Sequence, residues 1–329
     1  MEKTSVTQAE FEKGLQMSPP MNLSKAKNFK TKDDYYKEFG EKVYESLENG
    51  TSPLLPNKDG FVDLRPAYNL ASNTRYASSQ AGQAITQVLL LEKKAELNSK
   101  SSAFVTFDTV HNAQIAFAKN LGIIATSANI ETDKDAAKVF VDWIKNGADK
   151  NVPLIPKGTK GVTIPYEVMD KATGEKKFKT YTYFNLEQIT NGDKLAEYLN
   201  QKTVERAKDN QVYLINDNKT NNKIIPLSNQ TKAPTEYLAQ VFNAMFRGEK
   251  LQVTPEQAEL FKKQTMETLK AEYMPGQVDR FAIDKLCKAS YKIFETNRNK
   301  NQTVKKDVKV EQKRNFERKS PKMDYDRSR

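Results

Sequence analysis

The chain has 329 residues, a net charge of +11, 37% hydrophobic residues and a mean hydropathy of −0.75. No apolar run approaches the roughly 18 residues needed to cross a bilayer, and the opening MEKTSVTQAEFEKG has no apolar signal core, so a soluble cytoplasmic protein is expected. The lone cysteine, Cys287, excludes an internal disulfide and a cysteine-rich zinc site, and its place in an apolar-periodic helix makes it a small buried side chain.

Residues 1–30, with Pro19-Pro20, read as weakly ordered. A helix is expected from near Thr31, with the stripe Tyr36, Phe39, Val43 and Leu47, ended by Asn49-Gly50. Pro53 and Pro56 then break it, and DLRPAYNLASNTRY has no period and reads as an ordered loop rich in Arg, Tyr and Asn. Residues 80–97 form a second helix with Ile85, Val88 and Leu89 inward. A short extended run follows at 103–107, then a helix capped by Asp108 that buries Val110, Ala113 and Phe117. It holds the sole histidine, His111, which reads as a packed side chain because the partners of a metal or nucleophile site are missing. Residues 133–146 form a helix with Ala136, Val139, Phe140 and Trp143 inward and Gly147 as its stop.

The stretch PKGTKGVTIPYEVMDKATGEKKFKTYTYFNLEQ, residues 156–188, has a Lys-Gly turn followed by two alternating runs about a polar turn, the pattern of a β-hairpin. Val162, Ile164, Tyr166 and Val168 share one face of the first strand. In the second, Phe178, Thr180, Thr182 and Phe184 are assigned to the core, leaving Lys179, Tyr181 and Tyr183 as an outward row of cation and ring. Such a row holds single strands by stacking and phosphate attraction; the bland alternative is that both tyrosines cover a second small core.

A helix to about Lys208 comes next, then a hairpin over 211–227 around an Asn-rich turn. Three amphipathic helices follow and could pack as a bundle on the preceding domain. One runs from Pro234 to Gly248 with Tyr237, Leu238, Val241, Phe242 and Met245. One opens on the capping box Thr254-Pro255-Glu256-Gln257 and presents Leu260, Phe261 and Leu269. The last runs from about Gln277 to Glu295 with Phe281 and Leu286 inward. Residues 297–329 carry twelve Lys/Arg against five Asp/Glu, so this tail holds +7 of the +11. It reads as a basic tail, disordered when free, of a kind that commonly binds nucleic acid, with acidic proteins and membrane surfaces as the alternatives.

The sequence contains no H-E-x-x-H, P-loop, Rossmann glycine pattern or paired CxxC, and one histidine with one cysteine leaves no triad or zinc set. No cofactor or metal and no catalysis are expected. An all-carboxylate Mg²⁺ site, as in a nuclease, stays open as the last-ranked alternative because Asp and Glu are plentiful and need no tight spacing, although no acidic cluster singles itself out. The order of five pieces is more telling: SLENGTSPLLP (46–56), RPAYNLASNTRY (65–76), the apolar helix QAITQVLLL, AFVTFDTVHNAQ (103–114), and the segment 156–188 closing on Phe184-Asn185. From about Tyr35 to Gln188 the chain resembles the N-terminal single-stranded-DNA-binding domain of ArdC-type antirestriction proteins. Leu54-Leu55 and Phe104 stand where that family has tryptophans, and Asn73 stands where it has a glycine, a position that tolerates Asn in left-handed geometry. Residues 123–152 look like an insertion. The family's metallopeptidase domain is not matched, because no histidine follows His111.

The resemblance implies an α+β domain, a small antiparallel sheet with packed helices over 31–208; the hairpin and three-helix region over 209–296 lies beyond the resemblance and is read from its own pattern. It implies one DNA-contacting surface made by the loop from Arg65 to Tyr76 and the hairpin. Arg65, Arg75, Lys157, Lys160 and Lys179 would meet phosphate; Tyr68, Tyr76, Tyr181 and Tyr183 would stack; Asn69 and Asn185 would organise the loop or bond the backbone. The expected partner is single-stranded DNA, with antirestriction or DNA protection for a plasmid or phage as the function. In a second reading the chain docks on a host restriction or defence enzyme, with DNA incidental.

Overall fold

The computed structural model describes residues 30–76, 84–146, 152–169, 174, 176–210, 223–271, 274 and 276–319, with side chains for all of these but 176–177, 204–210 and 301–319. The expected weak order of residues 1–29, the first strand of the 211–227 hairpin and the end of the basic tail lie outside the described residues.

Local chemistry sets most helix boundaries. Helix α1 (Lys32–Glu48) starts at Thr31, whose Oγ1 accepts from the Asp34 N–H (3.2 Å) while Asp34 accepts from the Thr31 N–H (2.7 Å). After strand β1 (Phe61–Val62), a tight pair β2 (Tyr68–Asn69) and β3 (Thr74–Arg75) turns through Asn73 at φ 51°, the left-handed geometry expected there. Helix α2 (Ala84–Glu96) leads to β4 (Ala103–Thr106), and α3 (Phe107–Asn120) follows at once. Its cap is Thr106, one turn-start earlier than Asp108, which instead sits in the first turn. Helix α4 (Lys134–Lys145) is capped by Asp133 and buries Phe140, Val141 and Ile144. Val139, expected inward, is exposed, because burial follows one step round the helix from the assumed stripe.

The hairpin is confirmed as β5 (Val162–Met169) and β6 (Lys176–Asn185), followed by a 3-10 turn at Leu186–Gln188 and α5 (Gly192–Asn210). A short β7 (Ile224–Pro226) precedes α6 (Pro234–Arg247), which ends at Gly248 with φ 67°; then come β8 (Lys250–Gln252), α7 (Pro255–Leu269) with the expected capping box, and α8 (Ala282–Lys319). Leu260 and Phe281, expected inward on the last two helices, are exposed. The backbone of the tail is helical to Lys319.

These elements build a mixed α/β structure around two sheets. The larger has the strand order β3-β2-β4-β6-β5. Its strands pair antiparallel except β2 with β4, which run parallel (Tyr68 beside Ala103), so the sheet is mixed where an antiparallel one was expected. The two strands at this joint are separated by a helical crossover, α2, which is what parallel neighbours require. The smaller sheet, β1-β8-β7, pairs Val62 with Leu251 and sets β7 parallel to β8.

Both faces of the larger sheet are covered. One cluster joins Val43, Leu89, Phe104 and Ile164 to Tyr237, Phe242, Phe261 and Leu286; the other joins Val105, Phe184 and Val110 to Phe140, Ile144 and Leu195. The first cluster draws on α1, α2 and β4 as much as on α6, α7 and α8. Among the described residues this cluster takes members from both sides of residue 209. Tyr237 fixes the seam: its hydroxyl donates to the Leu54 carbonyl (2.9 Å) and its ring stacks on Phe261 at 3.9 Å.

One buried charge stands out. Glu92 on α2 is 3% exposed and accepts a 2.6 Å hydrogen bond from Ser52 Oγ. Burial pushes its carboxyl up to about 7, against the opposing pull of that hydroxyl, Ser46 and Lys42.

Two expectations follow from this packing. Between about pH 4.5 and 7 the folded protein holds a proton on Glu92 that the unfolded chain gives up, so stability falls as pH rises through that window. Glu92→Gln should therefore match the parent near pH 4.5 and exceed it by about 1–3 kcal/mol at pH 8, read from urea midpoints at each pH. Phe242→Ala should cost about 3–5 kcal/mol. Because one core serves both halves of the chain, fluorescence of Trp143 and far-UV circular dichroism should still lose their signals in one coincident transition; two separate transitions would show a divided molecule.

Candidate nucleic-acid interface

The pairing of β5 with β6 determines where the predicted contact residues point. Val162 lies opposite Tyr183, Ile164 opposite Tyr181 and Tyr166 opposite Lys179. Directly paired residues share a face, so Lys179, Tyr181 and Tyr183 stand on the side of Val162 and Ile164, the side of the first core cluster. The row expected to face outward is thus the inward row along its buried part. Thr180, Thr182 and Phe178 occupy the opposite face, where the Thr163 and Thr182 hydroxyls meet at 2.7 Å.

Tyr183 is 7% exposed, and its hydroxyl donates to Tyr166 Oη at 3.1 Å. Tyr166 in turn meets Thr86 on α2 at 3.1 Å. Tyr76 packs edge-on against Tyr183 with centroids 5.4 Å apart and is also 7% exposed. Burial, first of all, raises the phenol pKa of Tyr183 and of Tyr76 far above the ordinary value. Tyr76 of the loop and Tyr183 of the hairpin therefore meet on one surface of the sheet. That surface is filled by protein, and neither Tyr76 nor Tyr183 is open to a base; both assignments as stacking residues are corrected.

Asn185 is likewise a structural residue. It is fully buried; Nδ2 donates to Ser101 O (2.9 Å), and Oδ1 accepts from Ser99 Oγ (2.9 Å) and the Glu187 N–H (3.0 Å). It ties the end of β6 to the segment before β4. Asn69 holds its own turn by accepting from the Ala71 N–H at 2.9 Å. Arg75 reaches away from the hairpin to the Phe246 carbonyl at 3.5 Å, in the last turn of α6, where a cation is favoured by the helix dipole. Arg65 and Tyr68 are half-buried, the first between β1 and β2, the second against the second core cluster. The Gln87 amide, turned with its oxygen to the Ala67 N–H (2.6 Å) and its nitrogen to the Ala67 and Tyr76 carbonyls (3.2 and 3.3 Å), pins this loop to α2.

What remains outside is compact. Lys157, Lys160, Lys179 and Tyr181 are exposed, and the three lysines form no ion pair with any described residue. Tyr181 is 37% exposed and rests edge-on against Tyr166, with centroids 5.6 Å apart. On the opposite face of β6, Phe178 is 41% exposed and meets Tyr35 of α1 at 6.2 Å. At the root of the hairpin, a cleft of about 400 Å³ opens between α1 and β5, lined by Lys30, Tyr35, Glu38, Lys42, Gly161 and Thr163. A side chain at Gly161 would place its Cβ 2.6 Å from the Tyr183 carbonyl, so this close approach needs glycine. Lys30 and Lys32 sit over the rings of Tyr35 and Tyr36 at 5.6 and 5.8 Å.

Sequence reasoning missed Lys30, Lys42, Tyr35 and Phe178. Lys30 lies just before the Thr31 cap, in the stretch expected to be weakly ordered, and Lys42 lies on α1, a helix read only for its apolar stripe. Phe178 was given to the core because period-two alternation does not say which face is covered. His111 is packed as expected, stacked on Phe107 and edge-on to Phe140, and burial lowers its pKa. Among the described residues no group of His, Cys, Asp or Glu is placed to hold a metal ion, and no helix is long and apolar enough to cross a membrane.

No family model matches the sequence, and no curated protein matches it. Among solved structures, the metal-free crystal structure of the antirestriction protein ArdC from the R388 plasmid is similar to this chain. The identity is 14% and the TM-score 0.38, over 80% of this chain and 96% of that one.

The two faces of β6 predict opposite outcomes for neighbouring tyrosines. Tyr183→Ala should lower stability by about 3–5 kcal/mol, through a cavity and the loss of its hydrogen bond to Tyr166, whose hydroxyl keeps only Thr86. Tyr181→Ala should stay within about 1 kcal/mol of the parent, since its ring is half in solvent. Urea unfolding of both variants checks the register directly; equal losses would contradict it.

Proposed function

We propose that the chain binds single-stranded DNA without reading its sequence and without cutting it, as an antirestriction or DNA-protecting protein of a plasmid or phage acting in the bacterial cytoplasm. The observation that carries this reading is the exposed pair Lys179 and Tyr181. They stand two residues apart on one face of β6, with the Tyr181 ring propped edge-on by Tyr166 and its outer side in solvent. A ring held in place by its neighbour loses little freedom when a base stacks on it, and an adjacent ammonium meets the phosphate between bases. Lys157 and Lys160 at the hairpin root extend the cationic side toward the cleft beside α1. The ordered set of five sequence pieces supports the same reading, with the contact surface moved outward from Tyr76 and Tyr183 to the part of the hairpin that the helices leave uncovered.

Occupancy would be the mode of action: a strand covered by protein is not a substrate for a nuclease. The second reading, docking on a host restriction or defence enzyme, leaves Lys179 and Tyr181 without a role and predicts no dependence on them.

Affinities for a single-stranded oligonucleotide and its duplex, measured over a salt series, test the proposal. Tighter binding to the single strand is expected, with log K falling by about 0.7 per log unit of salt for each phosphate neutralised. Tyr181→Ala should weaken single-strand binding by about 1–3 kcal/mol without shifting the salt slope, and Lys179→Gln should reduce the slope by about 0.7. Equal weak binding to both forms, indifferent to both substitutions, would sink the reading.

A further inference from the structure

The last helix is two segments of different character on one axis. Its first part, from Ala282, belongs to the core through Ile283, Leu286, Cys287, Tyr291 and Phe294. Phe294 stacks on Phe246 at 5.5 Å and is the last residue in the cluster. The helix nevertheless continues to Lys319, and its 38 residues span about 57 Å. Residues 296–319 carry nine Lys/Arg against three Asp/Glu. They also contain Thr296, Asn297, Asn299, Asn301, Thr303, Val304, Val308 and Val310, residue types that favour helix weakly. A segment of that composition has neither the propensity nor an apolar face to hold a helix alone, and its like charges oppose one.

Two things can make the helix form. Nucleation, the costly step, is already supplied by the core-anchored turns before Glu295, so each further residue needs only propagation. Removal of the charge repulsion supplies the rest. We infer that 296–319 is a nucleic-acid arm whose helix is seeded by the folded body and completed when a phosphodiester backbone neutralises its cations. The ligand class follows from the charge: repeated anions at regular spacing along a flexible line suit cations spread over several turns of one helix. This inference does not use the hairpin, and either can fail without the other.

The test uses the full-length protein, with far-UV circular dichroism and binding measured together on a short single strand, on its duplex and on polyglutamate. Helicity should rise on titration with nucleic acid and reach saturation with binding. Asn301→Pro keeps every charge and lies beyond the core, so its melting temperature should match the parent while the helicity gain disappears and binding weakens about fivefold or more. Replacing Lys305, Lys306 and Lys309 by Gln should lower the salt slope on single strands by about 2. A gain with the single strand alone assigns the arm to unpaired strands; a gain with duplex as well assigns it to the phosphate backbone of either. No gain at saturation, an Asn301→Pro protein indistinguishable from the parent in both signals, or an equal gain with polyglutamate would each overturn the inference.

Discussion

The register that sets Val162 against Tyr183 governs the chemistry of this protein's surface. Strand β6 lies between β4 and β5, and near its end both of its faces are covered: Tyr183 faces one cluster and Phe184 the other. Moving back along the strand toward Lys179, the helical cover runs out, and the same alternation that packs Tyr183 delivers Tyr181 and Lys179 to solvent. Burial and exposure are thus graded along the strand rather than divided between its faces. The hydroxyl ladder from Tyr183 through Tyr166 to Thr86 lets those two phenols serve in that core, because each of their hydroxyls reaches a polar partner, whereas the neighbouring Tyr76 hydroxyl is buried with no hydrogen-bond partner among the described residues. Gly161 completes the arrangement by admitting β5 to the Tyr183 backbone with no side chain between.

This gradient explains what the sequence disclosed and what it concealed. Features fixed within a few residues were legible: the Thr31 and Thr254 caps, the Gly248 stop, the left-handed Asn73 and the hairpin itself. Features fixed by partners far along the chain were not. Alternation tells a reader that Tyr181 and Tyr183 share a face, but the identity of that face depends on pairing with β5 and on the cover given by helices α1 and α2. A strand covered on both sides shows no polar face to orient it. The assignment of Arg75 to phosphate failed in the same way, since its partner, the Phe246 carbonyl, is 171 residues distant.

The undivided core has a similar origin. Strand β1 finds its neighbour in β8, and α6 and α8 close over a surface begun by α1 and α2. The helices after residue 209 share one cluster with Val43, Leu89 and Phe104, and by roughly 25 cal/mol per Å² of apolar surface each such buried residue contributes about one to three kcal/mol. The C-terminal helices are therefore part of the fold that holds the hairpin, and changes in them should be felt there.

Where cations are paired decides how much of the charge is available to a polyanion. On α1, Lys30 meets Glu38 (2.6 Å), Lys32 meets Glu167 and Lys42 meets Glu96 (2.8 Å), while Arg280 meets Asp33 at 3.6 Å. All are exposed or nearly so, and such pairs contribute about 0–1 kcal/mol, so they neither stabilise the fold much nor project a field far. The cleft beside α1 is close to neutral at rest. The surplus lies elsewhere: on Lys157, Lys160 and Lys179 at one edge of the sheet, and on the helix that leaves the body past Phe246, near Arg75 and the opposite edge. The width of five strands, about 20 Å, separates those edges. An anionic strand drawn to both would have to cross the body between them, and the weakly held ion pairs of α1, which open at little cost, are the cations available to it at the hairpin side of that crossing.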